Sequence, residues 1–99
     1  MFILPRVIRS FANTDTGRFF AAGTSRRVPA EIRKRAAMRL LQLDAATRIE
    51  DLRPPPSNRL VPLPGDRAGQ WSIRINDQWR VRFRFKDSDA SDVEIVDYH

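Results

Sequence analysis

From Gly65 to Phe85 the chain reads GDRAGQWSIRINDQWRVRFRF, and this stretch leaves little choice of fold. Trp71, Ile73 and Ile75 alternate with Gln70, Ser72, Arg74 and Asn76, and further on Trp79, Val81, Phe83 and Phe85 alternate with Arg80, Arg82 and Arg84. Alternation of this kind places the two sets on opposite faces of a strand. A three-residue loop, Asn76-Asp77-Gln78, sets Ile75 opposite Trp79, Ile73 opposite Val81 and Trp71 opposite Phe83. A two-residue loop would set Ile75 opposite Gln78 and mix the faces, so the longer loop is expected. The hairpin then has one apolar face for a core and one face carrying Arg74, Arg80, Arg82 and Arg84. Such a face needs an anionic partner or bulk water.

The 99 residues suffice for one modest core, and a single domain over residues 1–99 is expected. The absence of cysteine excludes disulfides and thiolate metal sites and fits the cytoplasm. The opening MFILPR is too short for a signal-peptide core or a membrane span, so a soluble, cytoplasmic protein with no membrane association is expected.

Before the hairpin, Val7 to Phe11 reads as a short first strand. Thr14 or Asp15 is placed to cap a short helix ending near Gly23, anchored by Phe19 and Phe20. Pro29 suits a first helical position, and Ile32, Ala36, Leu40 and Leu43 recur at helical spacing, with Ala37 and Leu41 widening the stripe. Arg33, Lys34, Arg35 and Arg39 then cover the solvated faces, and this helix should end near Ala45 or Ala46. A short turn through Ile49, Asp51 and Leu52 leads to Pro54-Pro55-Pro56, a stiff connector without regular hydrogen bonding. Leu60 to Leu63 is a strand that Pro62 confines to an edge. After the turn Asp87-Ser88-Asp89, Ser91 to Tyr98 forms the last strand, Val93 and Ile95 inward and Asp92, Glu94 and Tyr98 outward. The expected class is α+β: two N-terminal helices packed on a mostly antiparallel sheet of four or five strands.

The net charge of +6 is almost all arginine, Lys34 and Lys86 being the only lysines. Arginine's planar fork suits phosphate, which points to nucleic acid; GC-rich coding also enriches arginine, so position counts for more than number. Arg59, Arg67, Arg74, Arg80, Arg82, Arg84 and Lys86 crowd the hairpin region, whereas Asp87, Asp89, Asp92, Glu94 and Asp97 fill the C-terminal end, which has neither lysine nor arginine.

No phosphate-binding glycine loop, metal-ligand cluster or nucleophile elbow is present, and no cofactor is expected. The one histidine, His99, closes the chain behind Asp97 and Tyr98. A terminal histidine is by itself an ordinary frayed end. Here carboxylate, phenol and imidazole are tethered to a strand beside arginines, a combination suited to acid–base chemistry on a phosphodiester. RNA supplies its own nucleophile, the 2′-hydroxyl, for such a site.

The segment Asn58 to Phe85, with its GDR turn, WSI and WR, and the ending VEIVDYH resemble the HigB group of the RelE superfamily of bacterial toxins, from about Val7 to His99. The resemblance implies a RelE-like α+β toxin that enters the ribosomal A site and cleaves mRNA by metal-free acid–base chemistry. It implies as partners the ribosome, mRNA and a HigA-type helix-turn-helix antitoxin, through which the pair acts on operator DNA. Position by position, Asp97, Tyr98 and His99 match the terminal catalytic motif, Arg80 the arginine expected near the scissile phosphate, and Arg67 the arginine of the GDR turn. Arg74, Arg82 and Arg84 are expected to bind RNA backbone with Arg67.

The chain also departs from that pattern. Where several relatives read LHPLKGDR it reads LVPLPGDR, so Val61 stands for an active-site histidine and Pro64 for a lysine. Neither can move a proton or hold phosphate charge, which implies a site short of one ionisable group and a weakened or altered nuclease. Two other readings stay open: a non-catalytic ribosome or RNA binder, and a co-repressor scaffold acting with its antitoxin.

Overall fold

The computed structural model describes residues 7–65 and 69–98. Its centre is the expected hairpin. The Asn76 side-chain oxygen accepts the N–H groups of Gln78 and Trp79, each at 2.8 Å, and Ile75 N donates to the Trp79 carbonyl at 2.9 Å. An asparagine that bonds its own downstream backbone makes the three-residue loop. Strands β2 (Gln70–Arg74) and β3 (Trp79–Lys86) therefore pair antiparallel, with Trp71 opposite Phe83 and Ile73 opposite Val81.

Strand β1 (Val61–Pro62) lies on the outer side of β2, Val61 opposite Ser72. Pro62 is on an edge strand, as its missing N–H requires. Strand β4 (Asp89–Asp97) returns beside β3 through Asp87 and Ser88, both left-handed (φ 51° and 67°), as a tight two-residue hairpin turn demands. The sheet order is β1-β2-β3-β4. Between the pairs Arg82–Glu94 and Arg84–Ser91, β4 carries one extra residue, a bulge with Asp92 at φ 50°. The bulge lets Ala90 and Val93, three positions apart, both reach the core.

Helices α1 (Thr14–Ala22) and α2 (Arg33–Ala45) cover the apolar face, where Phe19, Ile32, Ala36, Leu40 and Leu43 meet Ile73, Val81, Phe83 and Val93. This is the expected α+β arrangement. Among the described residues, no helix is long and apolar enough to cross a membrane.

Several local expectations change. The α1 cap is Asn13, not Thr14 or Asp15: Asn13 holds extended backbone and its side chain accepts Thr16 N at 2.8 Å, while Thr14 and Asp15 are already helical. Pro29 opens a 3-10 turn, Ala30–Ile32, before α2. Leu41 does not widen the buried stripe; it is 62% exposed. Arg39, expected on a solvated face, is only 6% exposed. Its Nε donates to the Arg74 carbonyl at 2.9 Å, and Arg35 Nη1 donates to the Ile75 carbonyl at 3.3 Å. β1 pairs only with Trp71 and Ser72, so the end of β2 takes guanidinium donors from α2 instead.

Val7 to Phe11 makes two isolated parallel bridges to β4, Ile8 to Ala90 and Phe11 to Val93, rather than a strand. The β4 bulge lies between these contacts and breaks the ladder. The start of this segment is fixed by Asp44, whose carboxylate accepts the N–H groups of Val7 and Ile8. The proline run ends in a 3-10 turn, Pro56–Asn58, because proline lacks a donor but keeps its carbonyl, which here accepts Arg59 N at 3.1 Å. Fully buried Asn58 ties the run to α2 through Gln42 at 2.9 Å.

Replacing Asn13 with alanine removes the cap and should cost about 1 kcal/mol in urea denaturation. Asp51 accepts the N–H groups of Thr47 and Arg48 at 3.0 and 3.2 Å, and these bonds hold its carboxyl below the ordinary range. A depressed pKa contributes stability above the unfolded value and loses it as pH falls through the folded one. The stability gap between wild type and Asp51→Ala should therefore be full at neutral pH and close below the ordinary carboxylate range.

Candidate active site on the arginine face

The face of the sheet away from the helices carries Ser72 and Arg74 from β2, Arg80, Arg82 and Arg84 from β3, and Glu94 and Val96 from β4. Charge that is segregated along the chain is interleaved here. Arg82 Nε donates to Glu94 at 2.8 Å, with Nη2 closing on the same oxygen. Arg84 meets Asp92 at 3.3 Å, and Arg74 is paired with Asp77 of the hairpin loop. The β3–β4 register sets Arg82 opposite Glu94, the bulge brings Asp92 within reach of Arg84, and the hairpin loop supplies Asp77 to Arg74.

Arg80 is different. Its neighbour across β4 is Val96, and among the described residues it has no carboxylate partner. Its Nη1 donates to buried Ser72 Oγ at 3.0 Å and to the Arg59 carbonyl at 3.4 Å. On the other side its guanidinium carbon lies 5.8 Å from the centroid of the Tyr98 ring, within cation–π range. Neutral partners fix its direction, and among the described residues no carboxylate compensates the charge, an arrangement suited to an external anion.

Tyr98 is exposed and held at the end of β4 by its N–H, which donates to the Gln78 carbonyl at 2.7 Å. Asp97 is opposite Trp79 and so points to the helix side, away from Arg80; its carboxylate accepts Gln78 Nε2 at 3.1 Å. Gln78 thus braces both residues, and Asp97 acts on the strand end rather than on the face. Val61, opposite Ser72, shares the face with Arg80 and is exposed. His99 and Arg67 lie outside the described residues.

The sequence reading brings Arg80 and Tyr98 together correctly and assigns Arg74, Arg82 and Arg84 to their face. It misses Ser72, although alternation from Gln70 to Arg74 already marks it as a small polar residue there. It also misses Asp92 and Glu94 as internal partners, because charge was counted along the chain rather than across the register.

An α+β domain with an arginine beside a phenol on an exposed sheet face has the groups to hold a phosphate backbone. Residues 9–99 match the family described as RelE-like toxin of type II toxin-antitoxin system HigB. The chain is 38% identical to Endoribonuclease HigB of Proteus vulgaris over 97 residues, covering 94% of this chain and all of that protein. It is 42% identical to Toxin HigB-1 of Vibrio cholerae over 65 residues, 66% of this chain and 68% of that protein. The chain belongs to this family of type II toxins, and a toxin of such a system has an antitoxin partner.

The Arg82–Glu94 pair is 20% exposed on both sides, whereas Arg84 and Asp92 are about half exposed. Glu94→Ala, which strands a half-buried guanidinium, should lower stability by about 1–2 kcal/mol; Asp92→Ala should change it by less than about 1 kcal/mol. Urea denaturation of both variants separates the two.

Proposed function

We propose that this toxin is a ribosome-dependent mRNA endonuclease that cleaves in the A site and thereby stops translation. The observation that carries the reading is Arg80, without a carboxylate partner among the described residues and oriented beside Tyr98 at the end of β4. The near full-length likeness to a relative named an endoribonuclease supports it.

In the proposed reaction the RNA 2′-hydroxyl loses its proton and attacks the adjacent phosphorus in line. The P–O5′ bond breaks, the 5′ oxygen takes a proton, and a 2′,3′-cyclic phosphate remains. Arg80 stabilises charge on the non-bridging oxygens. Tyr98 and His99 share the two proton transfers, and Asp97 positions the strand end through Gln78. No resident metal or cofactor is assigned a step. Arg67, Arg74, Arg82 and Arg84 would line the RNA path. The single toxin domain would act in the cytoplasm with the ribosome and mRNA, and would be inhibited by a HigA-type helix-turn-helix antitoxin through which it reaches operator DNA.

A second reading, a ribosome binder that blocks without cutting, is favoured by Val61. This side chain sits on the catalytic face and cannot take part in proton transfer. Primer extension in a purified translation system decides between them. Ribosome-dependent cuts, abolished in Arg80→Ala and His99→Ala and strengthened in Val61→His, are expected; arrested translation on intact mRNA would establish the blocking reading.

The pairing on the face also sets the salt dependence of RNA binding. Arg80→Ala should flatten the slope by about one counterion, and Arg82→Ala by clearly less, since Glu94 already neutralises Arg82. Equal changes in a salt titration of ribosome binding would contradict this ordering.

A further inference from the structure

The large apolar side chains exposed among the described residues fall into two pairs on opposite layers. Val61 and Tyr98 belong to the Arg80 face. Met38 and Leu41, 54% and 62% exposed, belong to the outer face of α2, where the nuclease reading gives them nothing to do. They are three residues apart on one helix and therefore adjacent. On one side of them, a cleft of about 450 Å³ is lined by Glu31, Lys34, Arg35, Met38, Ile75 and Asn76. On the other, an apolar notch of about 100 Å³ between the helices is bounded by Phe19, Phe20, Ala37 and Leu41.

The cleft has a charge imbalance beside it. Burial, and after it repulsion from Arg35 and Arg74, lowers the pKa of Arg39, and no carboxylate among the described residues compensates that guanidinium. Lys34 and Arg35 form no ion pair with Glu31 or with any other described carboxylate. The surface is thus an apolar ridge with a cationic end. RNA has no use for exposed methionine and leucine, whereas a protein segment with apolar anchors and a carboxylate at one end satisfies both halves.

We propose that the outer face of α2, centred on Met38 and Leu41 with Lys34 and Arg35 at one end, is the docking surface for the antitoxin. The occupant is an amphipathic antitoxin segment: an apolar side chain enters the notch beside Leu41, another covers Met38, and an Asp or Glu reaches the cationic cleft. The inference rests on membership of the toxin family and not on the nuclease reading.

The test is binding of the purified cognate antitoxin to purified full-length toxin by calorimetry, with ribosome-dependent mRNA cleavage measured on the same preparations. The double variant Met38→Asp/Leu41→Asp changes only exposed positions, and its thermal unfolding reports that it is folded. It should weaken antitoxin binding about thirtyfold or more, the scale of central apolar anchors, with cleavage unchanged. Arg35→Glu should weaken it further and flatten its salt dependence. Wild-type antitoxin affinity in the folded double variant would overturn the proposal. So would loss of ribosome binding with antitoxin affinity intact, or self-association of the wild type through this face with antitoxin affinity intact. If the wild type arrests translation without cutting, the nuclease reading fails while the calorimetry still decides this one.

Discussion

The fold depends on two hydrogen bonds to one oxygen. By accepting the N–H groups of Gln78 and Trp79, Asn76 fixes a three-residue loop, and loop length fixes register. A slip of one residue would set the apolar face of one strand against the arginine face of the other, exposing either Ile73 or Val81 and Phe83. The acids of β4 that reach the arginines of β3 are set by a second turn, Asp87-Ser88, and by the β4 bulge, so two turns between them order the core and the far face.

That pairing limits what the arginines can do. A strand of bare guanidiniums would repel itself and depend on its ligand for stability. Here Glu94, Asp92 and Asp77 neutralise Arg82, Arg84 and Arg74 within the molecule. The cations remain at the surface, but their affinity for an external phosphate is reduced by the carboxylates they already hold. The bulge at Asp92 contributes to this balance, since it keeps an acid on the arginine face while moving Ala90 into the core.

Much of the architecture was legible because it rests on short-period patterns. The alternation of Trp71 to Phe85 predicts the hairpin with its correct register, Pro62 predicts an edge, and Ile32, Ala36, Leu40 and Leu43 predict the buried stripe of α2. What escaped depends on contacts distant in sequence. Nothing near Arg39 announces that it will cap the end of β2, because that vacancy exists only once β1 has stopped short. Leu41 looks like core from its spacing but lies on the outer side of α2, beside the notch between the helices. The cap at Asn13 was a near miss of local chemistry, decided by which residue keeps an extended backbone. At the site, Arg80 and Tyr98 were legible as types and positions, but the reason Arg80 differs from its neighbours was not.

That reason is a break in a pattern on the other strand. On the arginine face β4 presents Asp92, then Glu94, then Val96. Had the acidic series continued to position 96, Arg80 would be paired like Arg82, and the face would be electrically closed. With valine there, the Arg80 guanidinium is held, among the described residues, by a serine hydroxyl, a carbonyl and an aromatic ring. The specificity of the face for an outside anion therefore lies less in having arginines than in withholding one carboxylate. The position of that omission, two residues before Tyr98, places the Arg80 charge at the end of the sheet where β4 runs out to Tyr98.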